Sequence, residues 1–290
     1  MESIRLLEKI GIGGMSTVWK AQDKRTGNIV AVKVLNREYS DKLDEIEAFR
    51  SEEKLLSNLH HPNIAQAYEF AKDGDNWYFE MEYVDGYSFG EFLRRKMHVK
   101  EPDCLLILES VASALNYAWN EFGLVHCDIK PENIMINQDG VVKLLDLGIA
   151  HQFQFTKDGE YQRGEHIEGT PAYISPEAVY GDVEPDCRAD IYSLGATLYH
   201  LATGRMLFTD LGNVETMQAH CDERMQSPDP RNYRVELTEG FAQLLEAMLV
   251  KDRDYRIQTW DDVLEMAHEV MRGTKFKPRE SGAVSTILLD

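Results

Sequence analysis

The segment that most constrains this chain is residues 126–133, which read His-Cys-Asp-Ile-Lys-Pro-Glu-Asn. It carries a carboxylate, an ammonium group and an amide close together, at Asp128, Lys130 and Asn133. A carboxylate can accept or orient a hydroxyl proton, a cation can face a phosphate, and an amide oxygen can bind a metal ion. The segment therefore predicts a polar loop that handles an anionic, metal-bound reactant.

A second carboxylate follows a predicted hairpin. Residues 134–136 and 141–144 read as short strands around Gln138-Asp139-Gly140, which is a strong turn signal. Asp146 comes directly after the second strand. A carboxylate there is suited to binding Mg²⁺. Asn133 and Asp146 are thus the candidate metal ligands.

Residues 11–18, Gly-Ile-Gly-Gly-Met-Ser-Thr-Val, lie between two predicted strands. Glycines allow backbone N–H groups to approach phosphate oxygens without a Cβ in the way. The pattern equally fits a glycine-rich hairpin with no ligand. It is not a dinucleotide-binding fingerprint, because a strand follows it and not a helix.

Lys33 lies in the apolar strand predicted at 28–35. A buried lysine needs an anionic partner, although a lysine at a sheet edge can face water. A predicted helix at 42–59 carries two candidate partners, Glu52 and Glu53. Both glutamates flank the apolar stripe of the helix, so helical geometry alone does not separate them.

The bulk properties exclude several classes of protein. The net charge of −19 disfavours a nucleic-acid partner, because phosphate backbones require a basic surface. The four scattered cysteines show no metal-binding spacing and indicate a reducing, cytoplasmic setting. Residues 1–10 carry charges and lack the apolar run typical of a signal peptide, and no apolar run is long enough to cross a membrane, so we expect no membrane segment within this chain.

The order of the predicted elements indicates two parts. The first third reads as three strands, at 4–12, 17–22 and 28–35, followed by one helix and two further strands at 66–71 and 77–83. The remainder is mainly helical, with helices predicted at 102–122, 190–203, 241–250 and 260–271. A β-rich lobe followed by a helical lobe predicts a cleft near residues 82–86.

Together these segments resemble the eukaryotic-like (Hanks-type) protein kinases, particularly the bacterial serine/threonine branch, over residues 4–271. The resemblance implies an α+β bilobal fold, with a small antiparallel β-sheet lobe that contains one helix and a larger helical lobe. It implies a kinase domain at 1–272, divided into lobes 1–84 and 85–272, and a C-terminal tail at 273–290. The implied activity is transfer of the ATP γ-phosphate to serine or threonine hydroxyls of protein substrates.

The resemblance also assigns roles to individual residues. The catalytic group comprises Asp128, Lys130 and Lys33 paired with Glu52, since the family's spacing favours Glu52 over Glu53. Asn133 and Asp146 would hold Mg²⁺, with Mn²⁺ as an alternative ion. The nucleotide would contact Ile10, Gly11, Gly13, Ser16, Val18, Ala31, Lys33, Met81, Glu82, Val84 and Met135.

Residues 169–177 resemble the end of an activation segment, where the backbone of a substrate docks. The resemblance implies a structural ion pair between Glu177 and Arg256, and it makes Asp190 the support of the catalytic loop. Thr170 and Lys130 favour serine or threonine over tyrosine as the target.

The chain departs from the family at three places. Leu147 replaces a phenylalanine, and His200 and Ser88 stand where relatives that select arginine carry carboxylates, although Glu132 remains. Cys127 replaces the arginine that normally binds a phosphorylated activation segment. A thiol cannot bind a phosphate in this way, because it offers neither a positive charge nor a fork of donors.

The activation segment itself carries few acceptor hydroxyls. Residues 157–169 contain no serine or threonine. We therefore expect activity that is independent of activation-segment phosphorylation, with Phe153 and Phe155 as candidates for ordering the segment by packing. Alternatively, phosphorylated Thr156 or Tyr161 binds another cation, such as Arg163.

Two other functions remain open at this stage: a pseudokinase, and a small-molecule kinase that shares the catalytic Asp and Asn. The intact catalytic set disfavours the first, and residues 169–177 disfavour the second. A redox role for Cys127, the protein substrate, the activating signal, the oligomeric state and any region beyond Asp290 are not determined by the sequence.

Overall fold

The computed structural model describes residues 3–95, 98–146, 151–152, 169–181 and 184–273. The chain divides into two compact units, Met1–Asp85 and Gly86–Asp290. Within the described residues, no helix combines the length and the apolar composition that crossing a bilayer requires. The predicted tail lies outside the described residues, apart from Gly273, which ends the last helix.

The first unit is built on one antiparallel sheet with the strand order β1-β2-β3-β5-β4. Its central strand, β3, consists almost entirely of apolar residues, and most of them are buried. This burial explains why a run without polar alternation forms a strand at this position. The five strands are β1 Ile4–Ile12, β2 Ser16–Asp23, β3 Ile29–Leu35, β4 Ala67–Asp73 and β5 Asn76–Glu82.

One helix, α1 at Leu43–Asn58, connects β3 to β4. It buries Phe49 and Leu56, which lie seven residues apart and therefore on one side of the helix. The ring centroid of Phe49 lies 5.0 Å from that of Phe79 on β5. Because Phe79 is paired with Lys33, α1 covers the same face of the sheet that carries Lys33.

The second unit is mainly helical. Its described helices are α2 Phe89–Arg95, α3 Glu101–Phe122, α4 Pro176–Tyr180, α5 Cys187–Thr203, α6 Asn213–Cys221, α7 Glu239–Met248 and α8 Trp260–Gly273. Its strands are short: β6 Gly86–Ser88, β7 Leu124–Val125, β8 Ile134–Asn137, β9 Val142–Leu144 and β10 His151–Gln152. Two 3₁₀ turns lie at Pro131–Asn133 and Pro230–Asn232.

The core of this unit surrounds α5, of which nearly every residue is buried. Asp186 caps the helix by accepting from the backbone N–H of Arg188, and Gly204 ends it in the left-handed conformation with φ 73°. Apolar residues of the neighbouring elements pack into the same core, among them Phe89, Leu108, Phe241 and Trp260. α5 is therefore a rigid support for the loops around it.

The predicted fold class is confirmed: an antiparallel sheet with one helix precedes a larger helical unit. α5 begins at Cys187, three residues before the predicted start at Asp190, because Asp186 supplies the cap. The sequence patterns predict neither α2, α4 and α6 nor the strands β6, β7 and β10. These elements span two to nine residues, too few for a clear periodicity.

Candidate active site

Three polar side chains of the second unit donate to the carboxylate of Asp128: Lys130, Thr170 and, at 3.2 Å, Asn133. Its Oδ2 accepts from Lys130 Nζ at 2.5 Å, and its Oδ1 accepts from the Thr170 hydroxyl at 2.6 Å. Lys130 Nζ also donates to Thr170 Oγ1 at 3.0 Å. Asp128 is buried, so these donors act on its charge with little screening by solvent. The two ends of the predicted site, residues 126–133 and 169–177, therefore meet at one carboxylate.

The backbone of the loop that carries Asp128 is hydrogen-bonded to a buried carboxylate of α5. Asp190 accepts from the backbone N–H of His126 at 2.6 Å and from that of Cys127 at 2.9 Å. Asp190 is only 1% exposed, and burial raises the pKa of its carboxyl although both donors favour the charged form. Thr197, also on α5, donates its hydroxyl to the carbonyl of Ile129 at 3.2 Å. The helix thus holds the loop on both sides of Asp128.

The backbone of this loop takes an uncommon path. Cys127 has φ 65°, in the left-handed region that most side chains avoid. Its carbonyl oxygen would lie 3.1 Å from a Cβ built on Gly169, which itself has φ 120°. A side chain at position 169 would therefore be strained and crowded, so glycine allows the two segments to approach.

The two candidate metal ligands lie on backbone segments that are hydrogen-bonded to each other. The backbone N–H of Leu145 donates to the carbonyl of Asn133 at 2.8 Å, which places Asp146 directly beyond Asn133. Asn133 Nδ2 donates to the carbonyl of Asp128 at 2.9 Å. The amide nitrogen is therefore used inside the loop, and the amide oxygen is the atom suited to a metal ion. Asp146 is exposed and has φ 53°.

The first unit contains an ion pair between Lys33 and Glu52. Lys33 Nζ lies 2.5 Å from Glu52 Oε1, and the two side chains are 11% and 10% exposed. The structure thus selects Glu52 over its neighbour Glu53 as the partner. Partial burial raises the pKa of the Glu53 carboxyl.

Several residues of the predicted nucleotide site share one face of the sheet. Val18 is paired with both Gly11 and Lys33, and Ala31 is paired with Met81. Directly paired residues of antiparallel strands point to the same side, and so do residues two apart on one strand, such as Ala31 and Lys33. This gives a surface with a small apolar part beside a cation.

The other predicted nucleotide contacts lie around this face or apart from it. Glu82 is paired with Val30 and therefore points to the opposite face. Ile10 is 46% exposed on β1, whereas Val84 is buried. Met135 belongs to the second unit, where it is paired with Ser88 and Lys143.

The glycine-rich segment forms the tight turn between β1 and β2. The N–H of Gly13 donates to the carbonyl of Ser16 at 2.8 Å, and a Cβ on Gly13 would lie 3.3 Å from that oxygen. A Cβ on Gly14 would meet no atom of the described residues within 4 Å. As far as the described part of the chain goes, the turn accordingly has open space beside it.

The comparison with protein families decides the identity of the fold. Residues 4–270 match the model of the protein kinase domain. The chain belongs to the protein kinase domain family. It is 31% identical over 259 residues to the serine/threonine-protein kinase PrkC of Bacillus subtilis, which covers 89% of this chain and 39% of that protein.

Two further relatives show comparable similarity. Serine/threonine-protein kinase PknA of Mycobacterium tuberculosis is 34% identical over 96% of this chain and 63% of its own length. A probable serine/threonine-protein kinase of Streptomyces coelicolor is 35% identical over 88% of this chain and 38% of its own length. The chain thus spans between about two fifths and three fifths of these relatives.

One buried ion pair of this kinase domain belongs to the scaffold. Arg256 binds Glu177 with both guanidinium nitrogens, at 2.6 and 3.0 Å, and its side chain has no exposed surface. The same guanidinium lies over the ring of Tyr192, 4.9 Å from its centroid. Such a bidentate, buried pair fixes the end of the activation segment against α5.

Local contacts account for His200 and Ser88, which stand where relatives that select a substrate arginine carry carboxylates. Nδ1 of His200 bonds to the Tyr173 hydroxyl at 2.8 Å, and burial lowers the pKa of His200 to about 4, so the imidazole is neutral near pH 7. Ser88 caps α2: its hydroxyl accepts from the N–H of Glu91, whose carboxylate accepts from the N–H of Ser88. Neither position offers a charge to a basic substrate, while Glu132 is exposed.

The sequence reasoning missed two supports of the kinase site. Thr197 holds the Ile129 carbonyl, and the imidazole Nε2 of His126 lies 3.0 Å from the Leu145 carbonyl. His126 belongs to the segment at 126–133, but nothing in that segment indicates its partner. No sequence signal distinguishes Thr197 from the other residues of a buried helix.

Several predicted features lie outside the described residues. They are the Leu147 substitution with the adjacent Gly148, the possible packing residues Phe153 and Phe155, and the groups Thr156, Tyr161 and Arg163.

Proposed function

We propose that this chain is an ATP- and Mg²⁺-dependent kinase that phosphorylates serine and threonine residues of proteins. The observation that carries the proposal is the cluster of Asp128, Lys130 and Thr170 in a chain of the protein kinase domain family. A carboxylate with a cation and a hydroxyl at hydrogen-bonding distance is suited to a reaction between a hydroxyl and a phosphate.

Each residue of this cluster has a role in the proposed transfer. The hydroxyl oxygen of the substrate attacks the γ-phosphorus, the bond to the β-phosphate oxygen breaks, and ADP leaves. Asp128 orients the hydroxyl and accepts its proton, while Lys130 neutralises charge on the transferred group. Thr170 holds the side chains of Asp128 and Lys130 in place. Its presence also favours the aliphatic hydroxyl of serine or threonine, and not that of tyrosine, as the phosphate acceptor.

Asn133 and Asp146 fit a Mg²⁺ ion. They supply one amide oxygen and one carboxylate, from positions that the Leu145–Asn133 bond holds together. The described residues contain no group of three or more His, Cys, Asp and Glu side chains that could hold a metal. Mg²⁺ bound by so few protein ligands relies on phosphate oxygens and water, which fits an ion that arrives with ATP. Once bound, Mg²⁺ neutralises phosphate charge; Mn²⁺ can replace it.

For the nucleotide, we propose that Lys33, oriented by Glu52, binds the α- and β-phosphates. The face shared by Gly11, Val18, Ala31 and Met81 supports this assignment, because it places small apolar residues next to the cation. Ile10, Gly13, Ser16, Glu82, Val84 and Met135 complete the proposed set. We assign the kinase domain to residues 1–272.

We further propose that activity does not depend on activation-segment phosphorylation. Cys127 stands where the arginine of many relatives would bind a phosphate. Its backbone N–H is bound by Asp190, and its sulphur lies 3.9 Å from the Val125 carbonyl. The loop is thus held by α5 without a phosphate.

The test is to remove phosphate groups from the protein with phosphatase, verify by mass spectrometry that the activation segment is unphosphorylated, and measure the initial rate. A long lag that ends as Thr156 or Tyr161 becomes modified would contradict independence.

The main test measures transfer of labelled γ-phosphate to a general protein substrate rich in serine and threonine, with Mg²⁺ and with the metal removed by chelation. Acid hydrolysis then identifies the modified residue. We expect phosphoserine or phosphothreonine, loss without metal, and near-complete loss in Asp146→Asn. Asp139→Asn is the matched control, because Asp139 lies exposed in the β8–β9 turn. ATP binding without any transfer would instead indicate a pseudokinase.

A further inference from the structure

Asn36, at the end of β3, contacts the glycine-rich turn of residues 13–16 through both its backbone and its side chain. Its backbone N–H donates to the carbonyl of Met15 at 2.8 Å. Its side-chain Nδ2 donates to the carbonyl of Gly14 at 3.2 Å, and its Oδ1 accepts from the hydroxyl of Thr17 at 2.9 Å. One side chain therefore binds both the tip of the turn and the first part of β2.

The orientation of this amide follows from its partners. The Gly14 carbonyl can only accept, so the nitrogen of Asn36 must face it, and the oxygen then faces the Thr17 hydroxyl. Aspartate would place a second acceptor against the Gly14 carbonyl, and alanine would remove both contacts. Asparagine is thus one of few residues that satisfy this arrangement.

Asn36 is itself held in place. Its carbonyl accepts from the N–H of Tyr39 at 2.9 Å and from the hydroxyl of Ser40 at 3.3 Å. Residues 36–40 therefore form a compact turn that begins directly after β3. Asn36 directly follows β3, the strand that contains Lys33. Its contacts therefore fix the glycine-rich turn relative to the strand that carries the proposed phosphate-binding cation.

A turn of this composition needs such a restraint. Glycines are free in both dihedrals, so a Gly-Gly pair samples many conformations unless contacts restrict it. Among the residues that the structure describes, none limits the turn from the side of Gly14. A restrained turn presents its N–H groups in one arrangement and loses less entropy when it binds phosphate oxygens.

We propose that Asn36 is a positioning residue for the phosphates of ATP: it holds the turn at residues 13–16 in its binding geometry through Gly14, Met15 and Thr17. The inference rests on the proposed function, since it assigns the turn to the phosphates. It predicts a selective effect on phosphate-bearing ligands. Adenosine, which lacks phosphates, does not use the turn in this way.

The experiment measures the Kd of MgATP, MgADP and adenosine by calorimetry, together with the KM for ATP and kcat. In Asn36→Ala we expect about tenfold weaker binding of MgATP and MgADP and a matching rise in the KM for ATP, while adenosine binding changes less than about twofold. Thr17→Val removes one of the two side-chain contacts and should show about a threefold effect, and Thr17→Ser should restore binding.

Asn28→Ala is the matched control, because Asn28 is exposed at the other end of β2 and β3 and its side chain bonds to no described residue. Asn36→Asp provides a second test should the alanine variant fold poorly. An equal loss of adenosine and ATP affinity, or unchanged affinity for both, would overturn the inference. Wild-type protein that binds ATP but transfers no phosphate would defeat the proposed function alone, because the binding measurements still decide the role of Asn36.

Discussion

The two units hold their proposed catalytic lysines in different ways. The ammonium group of Lys33 is paired with a carboxylate from a separate element, that of Glu52 on α1. Among the described residues, Lys42 gives α1 no side-chain cap, and only Phe49 and Leu56 of this helix are buried. The position of one lightly anchored helix thus decides whether the pair forms.

Lys130, in contrast, belongs to a network within the second unit. Its partners are Asp128 and Thr170, and the backbone of its loop is bound by Asp190 and Thr197 of the buried helix α5. Several bonds must break before this geometry changes. The residues around Asp128 are therefore built into the core of the second unit, whereas the arrangement of Lys33 can be altered by moving α1.

The first prediction carries the largest expected effect and concerns Asp128, at the centre of this network. Asp128→Asn removes the proposed proton acceptor and should lower kcat by about a thousandfold, in the range typical of a lost general base. The Kd of ATP should change little, because Asp128 acts on the hydroxyl. Steady-state rates and calorimetry measure the two quantities. Asp139→Asn is the control, and full activity of Asp128→Asn would refute the assignment.

The second prediction tests the ion pair between Lys33 and Glu52 in the first unit. Glu52→Gln removes the carboxylate charge that pairs with the nearly buried Lys33, and losing one member of a buried pair typically costs about 3–5 kcal/mol. Partial exposure reduces that cost here, so we expect activity to fall by about 10- to 100-fold. Glu53→Gln is the matched control and should stay within about threefold. The reverse order would mean that Glu53 is the functional partner.

The third prediction weakens the anchor of the catalytic loop. Asn has one acceptor oxygen where Asp190 uses two, so Asp190→Asn leaves one buried N–H of His126 or Cys127 with a poorer partner. This costs about 1–3 kcal/mol and should reduce kcat by roughly tenfold. Binding of ATP to the residues of the first unit should persist. Urea unfolding and kinetics provide the measurements, and unchanged stability would show that the anchor is dispensable.

The smallest expected effect is a difference in acid sensitivity between the units. His220 is fully buried, and burial together with the charge of Lys251 lowers its pKa from 6.5 to about 4. The unfolded chain therefore binds a proton before the folded one. Stability from this residue is complete above about pH 6.5 and is lost as the pH falls toward about 4.

Between pH 7 and pH 5 this loss should amount to about 1–2 kcal/mol. His60 and His61 of the first unit are not buried, so the second unit should respond more strongly. Urea midpoints at the two pH values measure the change, with tryptophan fluorescence and hydrogen exchange locating it. His220→Gln and, independently, His200→Gln should flatten the dependence. Equal midpoints for the wild type at both pH values would contradict this explanation.

Much of the fold could be predicted because it follows from short-range pattern. The Gln138-Asp139-Gly140 turn lies between two strands as expected, with Gly140 at φ 79°. The strand at 28–35 and the helix at 102–122 differ from β3 and α3 by one residue at their starts. Short helices such as α4 and α6 escaped prediction because their packing, and not their periodicity, stabilises them.

The sequence by itself determined which chemical groups are present and how local geometry spaces them: Asp128, Lys130 and Asn133 in one loop, and Lys33 in an apolar strand. Only the tertiary structure decided their partners. It selected Glu52 over Glu53, joined His126 to Asp190 across 64 residues, and connected Asn36 to a turn about 20 residues earlier. The reason is physical: spacing along a helix or strand is set by the local backbone, whereas a contact between distant residues depends on which faces pack together.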